Sequence, residues 1–200
     1  MNSTELASRI KSLKDEYEAL SEARPITQVN IDRADAILDE LIPLQREFAR
    51  RNGEPFAEPL EGLETEIDVL SNPIVLSSTL STYLVYASNR NKPCQTTRVI
   101  RFNDLKGISV SCVNDEVQNA HELSDRGLFG LGVFCIGNSR WFAELFRVHQ
   151  SHALHDEESW AGLRHYLFAF KEKLVEVIAG ELTMSTNARL PTEVVCELEI

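Results

Sequence analysis

The sequence predicts an α+β protein in which an N-terminal amphipathic helical hairpin precedes a mainly antiparallel β-sheet with two or three packed helices. Apolar residues recur at helical spacing over the first fifty residues, and the segment after them is rich in β-branched and aromatic residues. The connections between several predicted strands are also too short for parallel crossovers. We therefore divide the chain into a helical arm, 1–53, a linker, 54–63, and an α+β domain, 64–200.

The first predicted helix begins at Ser3 or Thr4, either of which can cap it, and continues to about Glu22. Its apolar residues are separated by three or four positions and form a heptad-like stripe: Leu6, Ile10, Leu13, Tyr17 and Leu20. Such a stripe needs another surface to cover it.

A second predicted helix begins at Asn30 or Asp32 and ends at Gly53 and Pro55. Pro43 lies within its pattern and predicts a kink or a short interruption, because proline lacks the backbone donor and crowds the preceding turn. The stripes of the two helices can face their own domain as an ordinary hairpin, or they can form a dimerising arm. The sequence leaves both arrangements open.

The linker is predicted from two prolines and interleaved acidic residues in segment 54–63. The strands predicted after it cover 82–87, 97–102, 107–113, 128–136, 165–170, 174–182 and the alternating C-terminal segment 192–200. The uncharged run around 128–136 predicts the strand at the core of the sheet. One helix is predicted over 115–123, and another from Asn138 or Ser139 to about residue 150.

The chain is acidic, with 31 Asp and Glu against 20 Lys and Arg, and the excess is spread over both the first sixty residues and the remainder. A net charge of −11 repels phosphate backbones, so we expect no nucleic-acid partner. The opening residues carry charges and lack the apolar core of a secretory signal, which predicts a cytoplasmic protein. The longest uncharged stretch, 69–89, contains Pro73 and several Ser and Thr residues, so we expect no membrane partner. The four cysteines are far apart and predict reduced, mostly buried thiols.

Four of the five histidines fall within seventeen residues, beside three consecutive acidic residues. His149, His152, His155 and Asp156, with Glu157 as a further donor, are therefore candidate ligands for Zn²⁺ or another divalent transition metal. No HExxH or related signature completes the set. The alternative interpretation places His149 in the last turn of a helix and His152 and His155 on a solvated loop, with His165 facing solvent at a strand start.

The leading functional prediction is a non-catalytic, acidic protein-interaction module: a small cytoplasmic regulator, inhibitor or immunity-type binder. It would hold a protein partner or form a homodimer through its N-terminal helices, without catalytic residues or a cofactor. One alternative is a metal-assisted hydrolase that uses the cluster from His149 to Asp156 and a metal-bound water. Another is a structural or assembly component.

Overall fold

The structure is a computed structural model that describes residues 2–60, 67–79, 81–88, 96–113, 120–153 and 155–198. The helices are α1 (Ser3–Glu22), α2 (Gln28–Arg51), α3 (Arg140–Gln150), α4 (Glu158–Ala161) and α5 (Pro191–Val195), with a 3-10 helix at Ser124–Arg126. The strands are β1 (Phe56–Pro59), β2 (Ile74–Ser77), β3 (Thr82–Ser88), β4 (Thr96–Phe102), β5 (Gly107–Ser111), β6 (Gly132–Gly137), β7 (Arg164–Ala169), β8 (Leu174–Ala179) and β9 (Leu182–Asn187). The α+β class, with helices first and antiparallel strands after them, is confirmed.

Side-chain caps start the first two helices slightly earlier than the sequence predicts. Asn2 caps α1 in a reciprocal box, in which its side chain accepts from the Glu5 N–H at 2.9 Å and its own N–H donates to the Glu5 carboxylate at 2.8 Å. Thr27 caps α2. Helix α2 continues through Pro43 as one piece, so the predicted interruption is absent. Pro43 is exposed, and water can therefore satisfy the backbone carbonyl that the missing donor leaves free.

The two helices pack on each other through their apolar stripes. Leu13, Ile37 and Leu41 form the buried centre of this contact, and Ile10, Tyr17, Leu20 and Leu44 surround it. Ion pairs join the outer faces of the helices, Arg9 to Glu40 at 2.7 Å and Arg33 to Glu16 at 2.5 Å. The predicted amphipathic hairpin is therefore confirmed.

The hairpin also packs on the rest of its own chain. The Lys14 ammonium lies 2.7 Å from Asp125, and Arg50 pairs with Glu58 at 3.0 Å while lying over the Phe56 ring. The Arg126 guanidinium reaches Glu54 at 3.2 Å. One end of the hairpin is thus anchored to the sheets, as expected for an ordinary helical hairpin.

Part of the segment predicted as a linker is a strand. Residues Phe56–Pro59 pair antiparallel with β6, and Phe56 is aligned with Gly137. The Phe56 ring occupies the space that a side chain at position 137 would need, since an added Cβ would lie 2.2 Å from its Cζ. The apolar pair Phe56 and Ala57 explains why this short, proline-flanked segment joins a sheet.

The strands form two antiparallel sheets, where the sequence predicts one. The first sheet has the order β1-β6-β7-β8-β5 and the second β2-β3-β4-β9. They pack face to face, with edge-on ring contacts between Tyr86 and Phe170 at 5.3 Å and between Phe102 and Phe168 at 5.8 Å. The central strand of the first sheet is β7, whereas the predicted central strand, β6, lies next to β1. Residues 166–169 of β7 are buried on both faces of the sheet.

Helices cover the outer faces of both sheets. Helices α3 and α4 pack over Ile178 of the first sheet and over Leu163, which directly precedes β7. Helix α5 places Val194 against Val85 and Val99 of the second sheet. The strand predicted at 192–200 is therefore wrong over residues 192–198, because Pro191 starts a helix, the Glu193 carboxylate accepts the Leu190 N–H, and turns follow the helix. Residues 199–200 lie outside the described residues.

Two other predictions concern segment 115–123 and the cysteines. Most of the helix predicted over 115–123, residues 115–119, lies outside them, and residues 120–123 are not helical. Cys112, Cys135 and Cys196 are free, but Cys112 and Cys196 are exposed, so the predicted burial is wrong for those two. Among the described residues, none of the helices combines the length and the apolar character needed to cross a membrane.

Candidate functional site

The free end of the hairpin exposes apolar side chains to solvent. We define the hairpin tip as residues 15–40, which comprise the end of α1, the connection and the first half of α2. Within it Ile26 is 61% exposed, Val29 74% and Ile31 43%. Single exposed apolar residues are ordinary, but these three lie within six positions on one end of the molecule. In the described part of the chain, none of the three belongs to a buried hydrophobic cluster.

A shallow groove of about 180 Å³ lies beside these residues, between the two helices. Tyr17 and Leu20 of α1 form one wall, Ile31 and Ala34 of α2 the other, and Ile26 closes one end. Ser21, Asn30 and Asp35 add polar groups at the margin. The groove is large enough for one or two apolar side chains and continues the contact that buries Leu13 and Ile37.

The tip also concentrates negative charge. It contains eight acidic and two basic residues, so 26 positions carry −6 of the net −11 of the chain. The two basic residues are already engaged, since Arg33 pairs with Glu16 and the Arg24 guanidinium donates to the backbone carbonyls of Ser21 and Ala23. Among the described residues, six carboxylates of the tip make no ion pair: Asp15, Glu18, Glu22, Asp32, Asp35 and Asp39.

The histidines predicted to bind metal lie around Trp160 instead of converging on one point. The His149 and His155 rings have their centroids 5.0 and 6.3 Å from the Trp160 ring, and His155 also meets Phe146 at 5.2 Å. His152 is exposed. The Asp156 carboxylate accepts the backbone N–H of Glu158 at 3.1 Å. Across the ranges that the structure describes, no three His, Cys, Asp or Glu side chains are grouped so that they could hold a metal ion.

A metal measurement tests the zinc prediction directly. Because two of the four candidate ligands are engaged with aromatic rings, we expect protein purified without a histidine tag to contain less than one zinc per chain. We also expect zinc and EDTA to leave its melting temperature unchanged. Elemental analysis and thermal unfolding check this. Stoichiometric zinc that is lost in both His152→Ala and His155→Ala would instead support the metal-assisted hydrolase.

His165 forms a buried polar contact that the sequence does not predict. It is 5% exposed, which overturns the prediction that it faces solvent at a strand start. Ser139 Oγ lies 2.8 Å from His165 Nδ1, and Glu176 Oε2 lies 3.1 Å from His165 Nε2, although the ring N–H does not point straight at that oxygen. The interaction with His165 lowers the pKa of the Glu176 carboxyl, partial burial opposes this shift, and the positive potentials of His165 and His121 add to it.

This serine, histidine and glutamate have the order of an acyl-transfer relay, but Ser139 already has a structural task. Its Oγ accepts the Phe142 N–H at 3.0 Å and so caps α3. His165 also packs edge-on against Trp141, with ring centroids 5.2 Å apart. The arrangement therefore fastens the N-terminus of α3 to strands β7 and β8, and we assign it to stability.

The sequence contained a partial signal for each of these features. Ser139 was predicted as a cap, and alternation along β7 places His165 on the same face as Leu167 and Ala169. The pairing with Glu176 depends on the register of β7 and β8, which the sequence does not specify. The charge of the tip could have been found by counting residues 15–40 separately from the basic residues that follow them.

Comparisons of this chain with family models, with curated proteins and with solved structures find no match. The tip combines exposed apolar groups, a groove and unpaired charge, and within the described ranges its ion pairs join only α1 to α2. It is therefore the surface on which a functional proposal can be based.

Proposed function

We propose that the protein is a small cytoplasmic protein-interaction module, acting as a regulator, inhibitor or immunity-type binder, and that the hairpin tip is its binding surface. The observation that carries this proposal is the exposure of Ile26, Val29 and Ile31 beside an open groove. Burial of a Val or Ile side chain contributes about 2 kcal/mol, so covering all three would supply a substantial part of a binding free energy. The partner is another protein or a second copy of this chain.

The anchoring of the hairpin supports this assignment. Leu6 is fully buried, and the ion pairs from Lys14 and Arg50 hold the base of the hairpin to the sheets. The buried residues of both helices, from Leu13 and Ile37 towards the base, are sufficient for that attachment. Ile26, Val29 and Ile31 lie beyond this buried region, and a partner would cover their exposed side chains.

Site-specific photo-cross-linking of the full chain in its native cells tests the proposal. A photoreactive residue at Val29 should form a covalent adduct of defined mass, because this side chain is more exposed than Ile26 and Ile31. Introducing Ile26→Ser into the same chain should reduce the adduct several-fold, since it removes a neighbouring apolar contact. Mass spectrometry then identifies the adduct as a second copy of the chain or as another protein.

Val110 provides the matched control position. It is 49% exposed, is also a valine, and lies on β5 at the edge of the first sheet. A probe at Val110 should not give the adduct that the probe at Val29 gives. Equal labelling from both positions, or the absence of any defined adduct from Val29, would reject the tip as the binding surface.

A further inference from the structure

The charge of the hairpin tip discriminates between the two kinds of partner. We propose that the tip binds a basic, amphipathic α-helix of another protein, and that a second copy of this chain is not its occupant. This inference rests on the proposed function, because it specifies the partner of the same surface. It follows from the charge of the tip, the excess of its acidic residues over its two basic ones, and the shape of the groove.

Self-association through the tip would bring like charges together. In a two-fold symmetric dimer the same patch faces itself, so a surface of net charge −6 would meet an identical surface. Exposed charges interact over about 8 Å at physiological ionic strength, which is the scale of an interface. Contact between the tip and a different face of a second copy would gain little electrostatic attraction, because the residues outside the tip still carry a net charge of −5.

The carboxylates of the tip are available to a cationic partner. Glu18 and Glu22 lie on α1, Asp35 and Asp39 on α2, and all four are exposed. Lys and Arg side chains from a partner would neutralise these charges and would speed the encounter through electrostatic steering. Charge complementarity therefore favours a basic partner over a neutral or acidic one.

The groove determines the form of the basic segment. Its two walls are the antiparallel helices α1 and α2, so an added helix would complete a three-helix bundle. A helix presents apolar residues every three or four positions along one face, which can fill the groove between Leu20 and Ile31 and contact Ile26. Basic residues on its flanks would then lie opposite the exposed carboxylates of both walls.

Binding of a synthetic peptide to the full chain tests this inference. The probe is a fluorescently labelled helical peptide of about 18 residues, with Leu at helical spacing on one face and Lys on the others. We expect saturable binding by fluorescence anisotropy, with an affinity that falls as salt rises. A peptide with Glu in place of each Lys, and a scrambled peptide of the same composition without an apolar face, should each bind at least tenfold more weakly.

Two sets of variants assign that binding to the tip. The double variant Ile26→Ser and Ile31→Ser should weaken binding about tenfold, because both side chains line the groove. The triple variant Glu18→Gln, Glu22→Gln and Asp35→Asn should weaken binding at low salt and reduce its salt dependence.

The control triple variant changes the net charge equally but elsewhere on the surface. Glu144→Gln, Glu157→Gln and Glu172→Gln remove three exposed carboxylates outside the tip, and their effect on affinity should be less than twofold. If this control weakens binding as much as the tip variant does, the peptide is attracted only by the net charge of the protein, and the inference fails. Equal binding of the scrambled peptide would reject the helical groove.

The cross-linking result separates this inference from the proposed function. If a probe at Val29 links the chain to a second copy of itself, the interaction module stands and the basic helical partner is wrong. If the probe gives no defined adduct, both proposals fail. An adduct with another protein whose cross-linked segment is a basic amphipathic helix supports both.

Discussion

Gly127→Ala is expected to destabilise the protein by about 4 kcal/mol, because it combines backbone strain with a collision that the backbone cannot relieve. Gly127 has a φ of +102°, in the region that favours glycine. A Cβ there would lie 2.3 Å from the carbonyl oxygen of Ala57 in β1 and 3.1 Å from the Arg46 guanidinium of α2. The substitution would thus push apart the 3-10 helix, the edge of the first sheet and the base of the hairpin.

Gly130→Ala is the matched control for that variant. Gly130 also has a positive φ, +66°, but no atom lies within 4 Å of the position its Cβ would take. The Gly130→Ala substitution should therefore lower the free energy of unfolding by only about 1 kcal/mol, the cost of left-handed backbone strain. Urea unfolding followed by tryptophan fluorescence gives both free energies. Equal costs for the two variants would show that the 3-10 helix and β1 do not meet as closely as the structure has them.

The hairpin could be predicted from the sequence because its signal is local. Leu6 and Leu13 are seven residues apart on one helical face, and both are fully buried. Its anchoring depends on pairs distant in sequence, such as Lys14 with Asp125, which no local pattern indicates. The same limit applies to the sheets: alternation marks the strands, but whether they join one sheet or two depends on pairings across the whole chain.

The C-terminal segment shows how two periods can be confused. Residues 192–200 alternate like a strand, yet Val194, Val195 and Leu198 are also close to helical spacing. In the structure Val194 is buried against Val85 and Val99, with Val195 and Leu198 packed around it. Pro191 is favourable at the first position of a helix, and it was the local signal for the correct structure.

The candidate binding surface was partly visible in the sequence, but its charge was not assigned to it. The sixty N-terminal residues contain twelve acidic and eight basic residues, and this balance hides two unlike regions. Folding gathers the acidic segments of α1 and α2 at the tip, while Arg46, Arg50 and Arg51 lie at the base. The hairpin connection therefore converts two dispersed acidic stretches into one surface.

His165→Leu is expected to destabilise the protein by about 3 kcal/mol, although leucine has a similar volume and is apolar. The variant retains most of the packing against Trp141 but removes the partner of Ser139 Oγ and the partner of the Glu176 carboxylate. Glu176 has only about a quarter of its side chain exposed, so water compensates for the lost partner incompletely. Urea unfolding at neutral pH measures the cost.

The pH dependence of this cost separates electrostatics from packing. The pKa of Glu176 is lowered in the folded protein relative to its ordinary value of 4.5, so the folded state binds fewer protons than the unfolded state at acidic pH. The stability that Glu176 contributes is therefore complete above pH 4.5 and is lost as the pH falls through the lowered pKa. The difference in unfolding free energy between the native chain and His165→Leu should shrink across that range.

Glu176→Gln, which keeps His165 and its ring contacts, should have a stability that depends less on acidic pH than that of the native chain. If the cost of His165→Leu is instead the same at neutral and acidic pH, His165 stabilises the fold through packing and its contact with Ser139, because only the carboxylate contact is lost on protonation.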